Sequence, residues 1–202
     1  MIEIKKPDYW ITVGNAYFYD DEMDAPQGVS TIKQIGVAEE KAEQKIYGSG
    51  VVYEVVSQTT STTITIDSIQ LPTEWVDRYQ GREGNGAATE QKTTDRLKEF
   101  SFGYTIMYSG GDKIFKWYPR CQLTAADETI ATKTADAVDP SRQYTIVAMP
   151  TEKQVVNVTY DQSKVPEDQK DTMLDEEGFF KQVVKSAFEI QDGKVTTPGI
   201  GA

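Results

Sequence analysis

The side chains that most often carry out catalysis are scarce in this sequence. It has no histidine among its 202 residues and a single cysteine, Cys121. The lack of histidine excludes His-dependent triads, the usual imidazole base and most catalytic zinc sites. One cysteine permits no internal disulfide, and because Cys121 stands in a predicted strand we expect a plain buried thiol. Carboxylates are therefore the only candidates left for acid–base chemistry.

Three pairs of adjacent carboxylates are the candidates for such chemistry, and all three stand in polar segments. They lack the apolar neighbours that would raise a carboxyl pKa into a catalytic range. We interpret them as solvated charge. The pairs are Asp20/Asp21, Glu39/Glu40 and Glu176/Glu177.

Neither a metal site nor a phosphate site has the spacing it requires. Four carboxylates between Asp20 and Asp24 could hold calcium, but the EF-hand spacing is absent and a solvated loop is the better interpretation. Gly81, Gly84 and Gly86 do not lie between a strand and a helix and lack a following Gly-Lys-Ser/Thr. The sequence therefore predicts a protein that is not an enzyme and has no cofactor and no metal.

The net charge and the length of the apolar runs narrow the class of protein further. The net charge of −11 and pI near 4.6 argue against holding nucleic acid by its phosphates, because such binding needs a basic face. A like-charged wall would instead repel DNA that passes close to it. We expect a product of the cytosol that does not enter a membrane, since the start lacks a secretion signal and no apolar run is long enough to span.

The stretch from Phe100 to Pro150 predicts the central sheet. Apolar residues alternate from Phe102 to Tyr108, which is the period-2 signature of a strand. Gly110-Gly111 suits a tight hairpin, and the chain returns as Ile114 to Leu123. Pro119 lacks an N–H, so we expect this strand at an edge or with a bulge there. Tyr144 to Met149 is the last strand of the group.

Further strands precede this sheet, and Val51 to Val56 is unusual among them. It is apolar on both faces except at Glu54, so its own domain or a neighbour must cover both sides. A short helix is expected over 71–79, opened by Pro72 and stopped by Gly81. The other expected elements are strands at 10–19, 30–38 and 63–69, a bulge at Gly14-Asn15, a charged segment at 39–45, and turns at 46–50 and 58–62.

The C-terminal part has a different composition. After a strand at 154–160, residues 161–177 are rich in acids and resemble a solvated linker. An amphipathic helix is expected from Leu174, with Phe179, Phe180, Val183, Val184 and Phe188 on its packing face. The prediction is a β-rich domain over 1–160, with an N-terminal arm and long loops at about 81–95 and 124–142. Residues 161–202 form the linker, the helix and a frayed tail, which we expect to pack on the same domain.

The order of short landmarks resembles the major tail proteins of long, non-contractile phage tails. The resemblance covers roughly Val37 to Pro150. The landmarks are Glu39 to Gly48 with the paired strands to Ile69, Leu71-Pro72-Thr73-Glu74 with Gly81, Phe102-Gly103-Tyr104, Trp117-Tyr118-Pro119-Arg120, Thr132-Lys133-Thr134 and Tyr144 to Pro150.

The resemblance implies a mainly β protein with short α-helices, an antiparallel sandwich or barrel-like tail tube fold that forms hexameric rings. Such rings stack into a tube of the virion tail, made in the host cytoplasm, and phage DNA is only in transit through it. The implied partners are other copies of the chain, a tape measure protein in the lumen, and distal tail and tail terminator proteins. The implied ring-stacking contacts are Lys5, Lys6, Arg82, Glu83, Asn85, Glu90 and Lys92.

Two alternatives remain open from the residues. One is the tube protein of a related secretion or injection machine, which shares the architecture. The other is a β-sandwich binding module, such as a virion decoration or adhesin domain, with exposed aromatic side chains as its ligand surface.

Overall fold

The computed structural model describes residues 10–85, 87–127, 141–191 and 193–196. It confirms the mainly β class with short α-helices. The strands are β1 (Trp10–Tyr19), β2 (Gln27–Val29), β3 (Ile32–Gly48), β4 (Val51–Ser68), β5 (Glu83–Gly84), β6 (Thr89–Glu90), β7 (Glu99–Tyr108), β8 (Lys113–Asp127), β9 (Arg142–Ala148), β10 (Val158–Asp161), β11 (Ile190–Gln191) and β12 (Lys194–Val195). The α-helices are α1 (Thr73–Tyr79) and α2 (Glu176–Phe180), and 3-10 helices cover Gln162–Lys164, Glu167–Thr172 and Ala187–Glu189. No helix in these ranges is both long and apolar enough to cross a membrane.

The chain divides into two compact units. The first unit contains Met1–Ile32, Ser101–Pro119 and Asn157–Ala202. The second unit contains Lys33–Phe100 and Arg120–Val156.

The first unit is an antiparallel sheet in the order β2-β1-β7-β8-β10. The predicted bulge is confirmed, because the pairing of β1 with β7 shifts register between Val13 and Ala16. The predicted hairpin is also present: the Tyr108 N–H donates to the Asp112 carbonyl at 2.9 Å. Of its two glycines only Gly111 has positive φ, at 94°.

The second unit contains antiparallel strands in the order β8-β9-β4-β3. Ile64 of β4 and Leu123 of β8 both stand opposite Ile146 of β9, and all three side chains are buried. Cys121 is fully buried, as expected. The short helix α1 is confirmed, with Val76 and Tyr79 buried and Trp75 half-buried.

Gly81 ends α1 as predicted. Its φ of 70° lies in the left-handed region, and an added Cβ would stand 2.2 Å from the Arg96 carbonyl oxygen. Only glycine satisfies both conditions at this position.

The hairpin of β3 and β4 corrects two sequence predictions. The charged segment 39–45 lies within β3, and residues 58–62 form no turn because β4 is continuous from Val51 to Ser68. Apart from Gln58, residues 57–63 are all Ser or Thr, and threonine is favoured in extended backbone. The real turn is at Ser49-Gly50, where both residues have positive φ, at 53° and 81°.

Pro119 does not lie on an edge strand. On one side of β8 the pairing with β10 ends at Trp117, and the pairing with β9 begins at Cys121. Pro119 stands between these two paired segments, and neither pairing includes it. Its carbonyl accepts a hydrogen bond from Ser101 Oγ at 2.8 Å.

Two other boundaries differ from the prediction. The polar segment expected from Thr124 starts later, because β8 extends to Asp127; residues 128–140 lie outside the described residues. The strand expected at 154–160 begins only at Val158, after a turn in which Gln154 has a φ of 61°.

The segment expected as a solvated linker is folded onto the first unit. Gln162 is buried between two elements, since its Nε2 donates to the Leu174 carbonyl at 2.9 Å and its Oε1 accepts from the Lys113 N–H at 2.9 Å. Asp161 caps the 3-10 helix that follows by accepting from the Ser163 N–H at 3.1 Å. Local side-chain caps and one buried amide thus hold this segment in place, and such polar contacts leave no apolar periodicity in the sequence.

Candidate assembly interface

The most unusual surface of the second unit is the outer part of the β3–β4 hairpin, residues 37–58, which we call the arm. Every residue of the arm whose burial is described is exposed, on both strands. A two-residue turn with positive φ at both positions is the preferred connection for such a hairpin, because its twist matches that of the strands. The arm therefore has the local structure of a stable hairpin but no cover on either face from the described chain.

The apolar side chains of the arm are concentrated on β4. Val51 is 69% exposed and Tyr53 is 82% exposed, and Val52, Val55 and Val56 are exposed as well. On β3 the exposed large apolar side chains are Val37, Ile46 and Tyr47. The sequence prediction that Val51 to Val56 needs cover on both sides identified this segment, and within the described residues that cover is absent.

The base of the arm is firmly held in the second unit. Residues Thr62, Ile64, Ile66 and Ser68 of β4 are buried, and β4 pairs with β9 from Thr62 to Ser68. Side chains also join the two strands, since Ser61 Oγ donates to Glu40 Oε2 at 2.9 Å. The change from buried to exposed thus follows the point where the pairing with β9 ends.

The long loop predicted at residues 81–95, which carries five of the implied ring-stacking contacts, contains regular secondary structure. Strands β5 and β6 form a two-stranded ribbon in it. Arg82 is held inside the loop base by Asp77, with Nη1 and Oδ1 3.1 Å apart. Thr89 Oγ1 donates to the other oxygen of Asp77 at 3.2 Å.

The structure brings Glu83, Glu90 and Lys92 together on the exposed side of this ribbon. Lys92 forms an ion pair with Glu83, and its Nζ lies 3.7 Å from Glu90 Oε2. The hydrogen bond with Glu83 raises the pKa of Lys92. Asn85 lies at the ribbon's turn, where its N–H donates to the Ala88 carbonyl at 3.0 Å. These residues are available for a contact, whereas Lys5 and Lys6 lie outside the described residues.

The predicted helix-packing residues divide into two groups. Phe179, Phe180 and Val184 are buried and Val183 is half-buried, but Phe188 is 88% exposed. The expected long helix is wrong in extent, because α2 ends at Phe180. Asp175 caps α2 by accepting from the Gly178 N–H at 2.7 Å, and Glu176 and Glu177 occupy its first turn as predicted.

Glu176 is the centre of a polar cluster in the first unit and is not simple solvated charge. Its carboxylate accepts from Lys113 Nζ at 2.8 Å, from Tyr17 OH at 3.0 Å and from Asn15 Nδ2 at 3.0 Å. Burial alone would raise the pKa of Glu176, but the hydrogen bonds from these three donors outweigh it and hold the pKa below its usual value. Burial, together with the hydrogen bond to Glu176, raises the pKa of Tyr17 to about 12.

The sequence alone did not identify this cluster as a unit, because its members are separated by up to 161 positions. The cluster joins β1, β8 and α2, so its role is to position elements of the first unit. In the described residues no three His, Cys, Asp or Glu side chains come together as a metal site.

No protein-family model matches this chain, and no curated protein matches it in sequence. Among solved structures it is similar to a chain of the anti-feeding prophage cap, the tube terminating cap, with 11% identity and a TM-score of 0.46 over 80% of this chain and 95% of that one. A chain of the anti-feeding prophage baseplate gives 5% identity and a TM-score of 0.47 over 78% and 97%. A chain of the sheath–tube complex of an extracellular contractile injection system, PVC, in its extended state, gives 11% and 0.43 over 79% and 94%. At such identities and TM-scores the likeness is partial, and no function follows from it.

Proposed function

We propose that this chain is a structural tube protein that assembles with copies of itself into stacked rings. The observation that supports the proposal is the arm, whose apolar strand Val51 to Val56 is exposed in the single chain. Soluble proteins rarely leave a long apolar strand uncovered, because it would pair or aggregate. The arm is therefore a surface for association.

The sequence resemblance to major tail proteins includes the arm, since it runs from Val37 to Pro150. On this basis the proposed partners are copies of the chain in hexameric rings, with a tape measure protein in the lumen and distal tail and tail terminator proteins at the ends. The proposed place of the protein is the virion tail, assembled in the host cytoplasm. An arm of this kind suits the tube of a secretion or injection machine equally well, and the proposal includes both.

The charge of the chain agrees with a channel for DNA in transit. A net charge of −11 repels phosphates, so DNA would pass along such a wall without being held. The proposed role is structural and involves no catalysis.

The first test is the state of the purified chain at low and high concentration, by sedimentation velocity and negative-stain electron microscopy. We expect hollow rings or tubes with six-fold end views that increase with concentration. A wild-type chain that stays monomeric at every concentration and binds a glycan through Tyr47 and Tyr53 would contradict the proposal and favour the binding module.

The second test removes apolar surface from the arm. Tyr53 is 82% and Val55 is 49% exposed, so the double variant Tyr53→Ser/Val55→Ser loses little burial in the single chain. We expect an unchanged melting temperature and a loss of rings. Ile69→Ser is the control, since Ile69 is 47% exposed but lies outside the arm, and it should assemble normally. Assembly of the double variant at the wild-type concentration would contradict the role of the arm.

A further inference from the structure

The arm has two open backbone edges. β3 is the last strand of its sheet, so its outer edge has no partner in the described chain. The outer edge of β4 has no strand partner over residues 51–61 among the described residues, because β9 pairs with β4 only from Thr62 to Ser68. Each edge presents unpaired N–H and C=O groups that another strand could meet.

The two edges differ sharply in charge. Charged side chains are the usual protection of an edge strand against pairing. In the arm, β3 carries five of them, while residues 51–58 of β4 carry only Glu54. The charged residues of β3 are Glu39, Glu40, Lys41, Glu43 and Lys45. The β4 edge therefore has the composition of a pairing segment, rich in β-branched residues and poor in charge.

The charge of the whole chain indicates which partner fits this edge. Copies that each carry −11 repel one another, so they can approach closely only where charge is sparse. Residues 51–58 are such a place, whereas an approach at β3 would bring Glu39, Glu40 and Glu43 against another acidic chain.

We propose that the outer edge of β4, residues 51–58, pairs with a strand of a second copy of this chain, while the outer edge of β3 in the arm stays in solvent. This inference rests on the proposed function and specifies which side of the arm makes the contact. Backbone hydrogen bonds supply the pairing, and Val52, Tyr53, Val55 and Val56 supply the apolar area.

The test is a matched pair of double lysine variants in the arm. Val52→Lys/Val56→Lys places two charges on β4, and Ala42→Lys/Gln44→Lys places two on β3, with the same change in net charge at exposed positions. We expect the β4 variant to need roughly tenfold or more protein for assembly, because two charges would be buried at the contact. The β3 variant should assemble as the wild type does. The reverse result, or an equal effect of both variants, would overturn the inference.

Hydrogen exchange on the assembled wild-type protein gives an independent readout. In a hairpin about half of the amides on each strand point outward, away from the partner strand. We expect assembly to slow the exchange of amides in 51–58 and to leave those in 39–45 unchanged. If the wild type forms rings but 51–58 gains no protection, this inference fails while the proposed function stands. If the wild type forms no assembly at all, the proposed function fails first.

Discussion

The ring of Phe180 stacks on the ring of Tyr17, with centroids 3.9 Å apart and planes 8° apart. Phe180 also meets Trp117 edge-on, with centroids 5.2 Å apart. Because α2 has only five residues, its intrinsic helical stability is negligible and these contacts must hold it in place. The end of α2 is thereby fixed to β1 and β8 within the first unit.

Truncation of Phe180 should strongly destabilise the first unit. Phe180 is 4% exposed, and Phe180→Ala removes a buried ring and leaves a cavity, which costs about 3–5 kcal/mol. Phe188→Ala is the matched control, since Phe188 is 88% exposed and its loss should change the free energy of unfolding by less than about 0.5 kcal/mol. Urea denaturation measures both, and equal effects would contradict the packing described here.

Adding one methyl group at Gly103 should also be costly. A Cβ there would lie 2.7 Å from Phe180 Cε1 and 2.8 Å from the Lys116 carbonyl oxygen, so either the ring or the strand must move. We expect Gly103→Ala to lower the free energy of unfolding by about 1–3 kcal/mol. Gly36→Ala is the control, because the nearest atoms to a Cβ at that strand position are 3.9 Å away. Thermal unfolding of both variants tests this, and a Gly103→Ala protein as stable as the wild type would contradict the contact.

The Glu176 cluster should make stability depend on pH in the acid range. The pKa of Glu176 is lowered in the folded state from its usual 4.5, so its contribution is complete above that value. The contribution is lost as pH falls through the folded pKa, since protonation then favours the unfolded chain. Glu176→Gln should cost about 1–3 kcal/mol at neutral pH by weakening charged hydrogen bonds. The difference from wild type should shrink below pH 4.5.

The control for this experiment is Glu177→Gln. Glu177 stands next to Glu176 in the first turn of α2 but is exposed. Its substitution should leave the unfolding free energy and its pH profile almost unchanged. A difference in the free energy of unfolding between wild type and Glu176→Gln that stays constant from pH 7 to pH 3 would contradict the predicted effect of Glu176 protonation on stability.

The ribbon of the second unit should affect assembly and not folding. The Lys92–Glu83 pair is exposed, so solvent screening leaves it little effect on stability. We expect Lys92→Glu to keep the wild-type melting temperature but to shorten the tubes seen by electron microscopy, because like charges would gather at a stacking contact. Lys170→Glu is the control, since Lys170 forms a similar exposed pair with Glu167 at 2.7 Å in the first unit. Tubes of normal length from Lys92→Glu would show that the ribbon is not one of the stacking contacts.

Several features followed from the sequence because they depend on local chemistry. Alternating apolar residues predicted β7, since a strand places every second side chain on one face. Pro72 and Gly81 marked the ends of α1 because proline and glycine restrict or free the backbone wherever they stand. The prediction that Cys121 is a buried thiol needed only its position in a strand.

The prediction of a long C-terminal helix was wrong because tertiary packing ends the helix early. The stripes Phe179/Val183 and Phe180/Val184 have helical spacing, yet the helix ends at Phe180. Phe179 and Phe180 are both buried against strands of the first unit, and this tertiary packing overrides a weak helical preference. Phe188, one turn beyond Val184 in the predicted pattern, is exposed as a result.

The sequence by itself determined the β class, the absence of histidine, the acidic charge and the need of Val51 to Val56 for cover. Only the tertiary structure decided that this cover is missing from the described chain. The physical reason is the extent of strand pairing, since β9 pairs with β4 only from Thr62 to Ser68. The burial of residues 51–61 depends on which strand lies beside them, and the local sequence pattern does not specify that strand. Residue types thus indicated an apolar strand, and the length of the β4–β9 pairing made the arm an exposed surface.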